Sequence, residues 1–427
     1  MAAEPTDRKD ELASEYINPL EQSPRWMLAA QALAIRSGAS IAFGMSSLYD
    51  PAGTAPSGVL WLDATLGSWK AKEAIRVDVW EPPRPPSRAS SRMSSRVSSR
   101  VSSRVSSRVS SRVSTPAAAA SAAPDYLTAG QGGADGDSRP AIINFHGGGF
   151  VLGQGTDDAR WAAAAASALG AVVFSVNYRL APGYPFPTPV EDCTAAIAQI
   201  CSDDGPAVKR YRVDRARVIL SGFSAGGTLA LASWVVLQDP ARWGYGDVLP
   251  PSLPAVAGLA LYYPLLDYTV ARPRKREACP RPDLALPKSL TDLFDASYLY
   301  PPRPPGDRGD LRISPGLMPD DMLARLPPLH LCLCEHDMLL AEGLAFADRV
   351  RGRADDGGGA GRVEVRVVGG EKHGWDKPPP FAQKESAGEE YEAAIGSIKT
   401  WIGFDAEIKL HGQPDLAALL IPPSAIV

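Results

Sequence analysis

The chain has 427 residues, of which 45% are hydrophobic and 22% charged. This mixture excludes full disorder, a collagen and a simple coiled coil, and the length allows a sizeable core without staples. A net charge of -4 gives no whole-chain reason to expect nucleic acid as a partner. That average hides a tract at 84–116 with eight Arg and no acidic residue, set in a more acidic body.

The first sixteen residues carry both signs of charge and no apolar core segment, so they do not read as a signal peptide. An apolar run from Trp26 to Met45 is interrupted by Arg36, Ser37 and Gly38, short of the ~20 apolar residues a membrane span needs. The expectation is a helix over 24–49 that packs on the body. Strands are expected at 59–62 and 75–80, the second from the alternation of Ile75, Val77 and Val79. EPPRPPS then breaks regular structure.

Arg recurs every fourth residue from Arg88 to Arg112 in an RxSS repeat. Four residues advance about 400° around a helix, so no fixed face survives the repeats. No partner strand is evident either. Residues 84–138 therefore read as one disordered insertion.

Order is expected to resume with the strand AIINF at 141–145, followed by HGGGFVLG. A helix at 157–169, a strand at 171–178 and a helix at 187–203 come next. RVILS (217–221) reads as a buried strand, then GFSAGG, then the helix GTLALASWVVL. VAGLALYYPLLD reads as a strand, and 270–310 as irregular apart from a helix at 288–299. The strand LPPLHLCLCEHD, a helix at 339–351, the strand VEVRVVGGEKHGW and a closing helix at 389–402 complete the chain. Alternating strands and helices with nearly continuous apolar strands predict an α/β fold, a mostly parallel sheet with helices on both faces.

Gly222-Phe223-Ser224-Ala225-Gly226 fits G-x-S-x-G between a strand and a helix. That setting exposes the Ser224 hydroxyl on a sharp turn and puts a helix N-terminus beside developing negative charge. His146-Gly147-Gly148-Gly149 follows a strand, where consecutive glycines let backbone N–H groups face an oxyanion. Gly147, Gly148 and Ala225 are the candidate donors.

The base must come from five histidines. His146 precedes the nucleophile and reads as a loop anchor, His330 as core, and His336 lies at a strand end. His373 sits on a glycine-bounded loop after the last strand, the late position that the chain order Ser…Asp…His requires; His411, in the tail, is the alternative. Asp337 ends a strand before His373, whereas Glu335 shares its strand face and Glu342 falls on the next helix. Its role would be to orient the imidazole and stabilise its cation. No metal or organic cofactor is called for. The five cysteines form no CxxC pair and read as reduced, mostly buried thiols.

With these residues in order, the chain resembles the hormone-sensitive-lipase-like family of α/β-hydrolases, the alpha/beta hydrolase fold-3 esterases. HGGGFVLG matches the oxyanion loop, GFSAGG the nucleophile elbow and NYRLAPGYPFPTPVED (177–192) the YRLAPE-x-PFPA-x-ED stretch. RISPGL, LPP and DMLLAEG also fall in register. The resemblance implies an α/β-hydrolase core at 61–83 and 139–404. An N-terminal segment and helical cap at 1–60 and a tail at 405–427 flank it. It implies a serine carboxylesterase or lipase-like hydrolase with Ser224, Asp337 and His373 as triad and Gly147, Gly148 and Ala225 as oxyanion hole. Family members often dimerise, so a homodimer is among the expectations. Departures are Gly183, where Glu is usual, and Trp375, where Phe is common. Gly183 is expected to loosen a loop contact, and Trp375 either to narrow the pocket or to pack.

The expected partner is a small-molecule ester, not nucleic acid. An amidase, deacetylase or formamidase would use the same parts, and a non-catalytic receptor on the same fold is the remaining rival. For 84–116 the readings are a tolerated expansion, a basophilic-kinase target, or a peripheral contact with anionic membrane. The expected location is cytoplasmic, or peripheral to endomembranes or lipid droplets. Pocket depth is expected to be set by residues 20–60 and 270–310.

Overall fold

The computed structural model describes residues 18–48, 54–83, 138–250, 253–354 and 363–404. The expected insertion, except Ser138, and the expected tail lie outside the described residues, as does His411.

Eight strands form one sheet: β1 (Gly58–Asp63), β2 (Ala74–Trp80), β3 (Arg139–Phe145), β4 (Val172–Asn177), β5 (Val213–Phe223), β6 (Val256–Tyr262), β7 (Leu329–His336) and β8 (Val363–Lys372). Their spatial order is β1-β2-β4-β3-β5-β6-β7-β8. The β1–β2 and β2–β4 pairs are antiparallel; every other pair is parallel. The mostly parallel α/β architecture is the one read from the sequence.

Side chains alternate between the two faces along each strand, and the core divides accordingly. Ile143, Phe174, Leu220 and Leu261 join one cluster, with the helices Thr188–Ile200 and Ala225–Gln238. Ile142, Val173, Ile219 and Ala260 join the other, with Ala159–Leu169 and Glu385–Trp401. Both faces are thus covered, which is why the central strands read as unbroken apolar runs.

Differences from the expected elements have local causes. β5 starts at Val213, four residues before RVILS, because its half-exposed DRAR stretch carries no apolar signal. β6 ends at Tyr262: Tyr263 takes φ 38° and Pro264 follows, so YYPLLD leaves the sheet. Short helices at Pro206–Tyr211, Arg272–Glu277 and Asp320–Leu323 were hidden by their length and polarity.

The N-terminal helix, Arg25–Ser47, packs on the helix Lys288–Tyr298 through Leu28, Leu293 and Ala296. Arg36 donates to the carbonyls of Val151 (2.7 Å) and Ala181 (2.6 Å), tying the helix to the loop after β3. Arg25 donates to the Pro182 and Gly183 carbonyls, so the backbone at Gly183 retains a contact with this helix. Among the described residues, no helix is long and apolar enough to cross a membrane.

Candidate active site

The site forms where the C-terminal ends of β3, β5, β7 and β8 converge. β5 runs into the helix Ala225–Gln238 through Ser224 alone, which takes φ 52° and ψ -120°. A non-glycine residue at positive φ stores of order 1–3 kcal/mol of strain. Neighbouring glycines permit this turn. A Cβ at Gly226 would lie 1.9 Å from the Phe145 carbonyl oxygen, and one at Gly222 would lie 2.4 Å from Gly226 backbone. Only hydrogen fits at these positions, which lets the elbow press against the end of β3.

Ser224 Oγ lies 2.8 Å from His373 Nε2, and His373 Nδ1 lies 2.6 Å from Asp337 Oδ2. A carboxylate accepts, so Nδ1 carries the proton and Nε2 is free to accept from the serine hydroxyl. Asp337 is 2% exposed, and its Oδ1 accepts from the Leu339 N–H at 3.1 Å. The Tyr263 ring meets the imidazole at 61°, with centroids 4.8 Å apart. Three residues singled out from separate parts of the sequence, spanning 149 positions, are thus brought into one hydrogen-bonded line.

The glycine loop lies beside the elbow. A Cβ at Gly147 would approach Phe223 O at 3.1 Å and Ser224 Cβ at 3.5 Å. Gly148 has φ 105° and Gly149 φ 60°, so the loop needs glycine at both. Ala225 opens the helix after Ser224, the position where a backbone N–H lacks an intrahelical acceptor.

The other histidines stand apart. His146 is buried, stacks on Tyr178 at 4.3 Å, and its Nδ1–H donates to the Gly147 carbonyl at 2.7 Å. Burial lowers its pKa from 6.5 to about 4, so the ring is neutral near pH 7. His330 is fully buried, with Nδ1 3.0 Å from Ser397 Oγ. His336 Nε2 lies 3.8 Å from Glu335, whose carboxylate accepts from Gly370 N–H at 2.6 Å. Glu342 pairs with Lys275 and accepts from the Leu266 N–H at 2.8 Å.

A cavity of about 220 Å³ opens onto the triad, lined by Gly147, Gly148, Gly149, Ser224, His373 and Lys377 on one side. Leu286, Leu290 and Phe294 line the other. None of the described residues among 20–60 lines it; the N-terminal helix sits one layer out, behind Lys288–Tyr298. A larger cavity, about 320 Å³ and including Leu266, Met338 and Phe346, contains no triad residue. Trp375 is 2% exposed, donates to Ser386 Oγ at 3.2 Å and packs against Tyr263. It therefore packs and does not narrow the cavity. In YRLAP, Tyr178 OH donates to the His146 carbonyl at 2.8 Å, and Arg179 forks onto buried Asp192 at 2.8 and 2.6 Å. The Tyr178 hydroxyl thus holds the glycine loop from behind.

Phe294, Leu290 and Lys377 were not singled out from the sequence. A signal existed for Lys377, which follows His373 by four residues; none marks Leu290 or Phe294 before folding.

The model of the alpha/beta hydrolase fold matches residues 142–377, more than half of the chain, spanning the glycine loop, elbow, Asp337 and His373. The chain belongs to this family. It is the hormone-sensitive-lipase-like group that the motifs resemble. Human arylacetamide deacetylase-like 2 is 28% identical over 258 residues, covering 50% of this chain and 63% of that protein. Carboxylesterase NlhH of Mycobacterium tuberculosis is 33% identical over 215 residues, covering 50% and 60%. The chain thus spans less than two thirds of the length of these curated relatives. A metagenomic carboxylesterase, EstE1, has the same fold: TM-score 0.60 and 21% identity, over 88% of this chain and 98% of that one. A bacterial heroin esterase matches with TM-score 0.59 and 21% identity, over 87% and 92%.

Proposed function

We propose that this chain is a serine esterase cleaving small carboxylic esters through an acyl-enzyme intermediate. The observation that carries the reading is the line Ser224 Oγ–His373 Nε2 (2.8 Å) and His373 Nδ1–Asp337 Oδ2 (2.6 Å), with Ser224 and His373 lining a cavity.

Ser224 Oγ attacks the ester carbonyl as His373 Nε2 takes its proton. Asp337 keeps Nδ1 protonated and stabilises the imidazolium. The Gly147, Gly148 and Ala225 N–H groups stabilise the oxyanion; losing one such donor elsewhere costs ~2.7–4 kcal/mol of transition-state stabilisation. His373 returns its proton to the leaving alcohol, and a water, deprotonated by the same imidazole, releases the acid and regenerates Ser224. At about 220 Å³ the cavity is below the roughly 300–1,000 Å³ usual for small-molecule sites, which supports short acyl groups. A cytoplasmic site of action belongs to the same proposal, supported by five free, buried cysteines.

An amide-cleaving reading draws on two relatives, human arylacetamide deacetylase-like 2 and bovine arylacetamide deacetylase, each 28% identical. Matched p-nitrophenyl esters and p-nitroanilides, acetyl to palmitoyl, test both readings. Ester turnover best at acetyl or butyryl and lost in Ser224→Ala is the expected result. Ester turnover undiminished in Ser224→Ala would refute it, and preferred anilide cleavage would favour the deacetylase reading.

A further inference from the structure

Lys377 lines the cavity beside Ser224, with one fifth of its side chain accessible. Its ammonium lies 2.7 Å from Asp158 Oδ1, 2.9 Å from Asp376 Oδ2 and 3.4 Å from the Phe223 ring centroid. Asp158 and Asp376 are buried, at 1% and 0% exposure. An ion pair so far out of water repays its desolvation only when the remaining polar atoms are also satisfied. Here they are. Asp376 accepts from the hydroxyls of Tyr263 (2.5 Å) and Tyr391 (2.7 Å), and Asp158 accepts from Asn144 Nδ2 at 2.8 Å. Burial alone would raise the Asp376 pKa, but Lys377 and the two hydroxyls outweigh it and hold the carboxyl below its ordinary range.

The contacts continue under the site. Asn144 Oδ1 accepts from Ser221 Oγ at 2.8 Å, and Ser221 Oγ accepts from Trp161 Nε1 at 3.2 Å. Asn144 lies on β3, three residues before Gly147; Ser221 lies on β5, three before Ser224; Asp376 and Lys377 follow His373 on its own loop. Arg160 adds a second tie to that loop through the carbonyls of Asp376 (3.2 Å) and Pro378 (2.8 Å). One buried network therefore reaches the nucleophile strand, the glycine-loop strand and the base loop. Tyr263 links it to the imidazole, touching His373 with its ring and Asp376 with its hydroxyl.

We propose that Lys377 is a positioning residue. Through Asp158 and Asp376 it clamps the His373 loop to β3 and β5, fixing the imidazole relative to Ser224 and the glycine N–H groups. The inference rests on the esterase reading for its purpose, and its test does not require an ester. A fluorophosphonate labels a serine that its histidine activates, whatever the natural substrate. An offset of about 1 Å costs on the order of 10²-fold in rate.

The experiment compares fluorophosphonate labelling rates of the full chain with those of Lys377→Met and Asp158→Asn, the latter keeping shape and a hydrogen-bond acceptor. Arg366→Met is the control: it removes the partner of buried Glu390 (2.6 Å) on the outer part of β8, away from the cavity. The expected result is labelling at least tenfold slower in Lys377→Met and slower by a smaller factor in Asp158→Asn. Folded near-ultraviolet circular dichroism would accompany both. On p-nitrophenyl butyrate, kcat would fall in proportion with KM within about twofold. Arg366→Met would lose thermal stability without slower labelling. Wild-type labelling rates in Asp158→Asn and in folded Lys377→Met would overturn the proposal. If Lys377→Met does not fold, Asp158→Asn alone decides. A wild-type protein that labels but cleaves no ester would defeat the esterase reading while leaving the Lys377 test intact.

Discussion

The two walls of the cavity are built by different physics. One wall, formed by the glycine loop, Ser224, His373 and Lys377, is polar and held by directional hydrogen bonds at 2.5–3.2 Å. The other, formed by Leu286, Leu290 and Phe294, is apolar and backed by the N-terminal helix through Leu28. Hydrogen bonds fix angles and distances, whereas apolar contacts fix little beyond volume. The first wall therefore suits chemistry that fails with small displacements. The second suits selection by size. The N-terminal helix continues the contrast: Trp26, Leu33 and Ile41 are more than 60% exposed, and beside its apolar contact through Leu28, Arg25 and Arg36 tie it to backbone carbonyls of the body.

The comparison breaks most sharply at the polar wall. Ser224→Ala and Asp337→Asn should each lower kcat for p-nitrophenyl butyrate by about 10⁴-fold or more, with native circular dichroism. A loss under tenfold in either would remove the triad from the account. At the apolar wall, Phe294→Ala should cost about 3–5 kcal/mol in denaturant unfolding and move the preferred ester towards longer acyl chains. An unchanged chain-length profile would mean that this wall does not select. One layer out, Leu28→Ala should cost about 2–3 kcal/mol, at the low end for a buried leucine, because its cluster is small. The chain-length profile should stay fixed, since Leu28 does not reach the cavity.

The smallest expected effect is a pH dependence on the polar side. His146 is buried neutral, with a folded pKa of about 4 against an ordinary 6.5. An unfolded chain takes up this proton below about 6.5, and the folded chain refuses it until about 4, so stability falls as pH drops through that window. From the 1.36 kcal/mol carried by each unit, the loss at pH 5 relative to pH 7 is about 2 kcal/mol. Denaturant unfolding of wild type and His146→Gln at both values measures it. Equal losses in the two proteins would mean that other groups carry the dependence.

Much of this molecule was legible in its sequence because the relevant signals are local. Strand apolarity depends on burial on both faces, so β3 to β7 could be read without knowing their partners. Ser224 and the glycines are legible because a left-handed turn and close backbone approach restrict residue type; at Gly226 a Cβ would lie 1.9 Å from Phe145 O. Asp337 and His373 could be singled out because chain order and strand ends narrow five histidines to a late loop. β5's first residues and the short helix Arg272–Glu277 could not, since half-exposed or very short elements have no periodicity to detect.

What only the tertiary structure decided depends on residues far apart in the chain. Leu290 and Phe294 face Ser224 because their helix folds over the glycine loop, where a Cβ at Gly149 would sit 2.1 Å from Phe294. Asp158, Asp376 and Lys377 look like ordinary surface charges until folding buries both carboxylates and leaves only a fifth of the Lys377 side chain accessible. Sequence determined which residues could do the chemistry, because backbone conformation and functional-group type are local properties. Folding decided how they are held and how much room they leave, because burial and pairing exist only between segments that folding brings together.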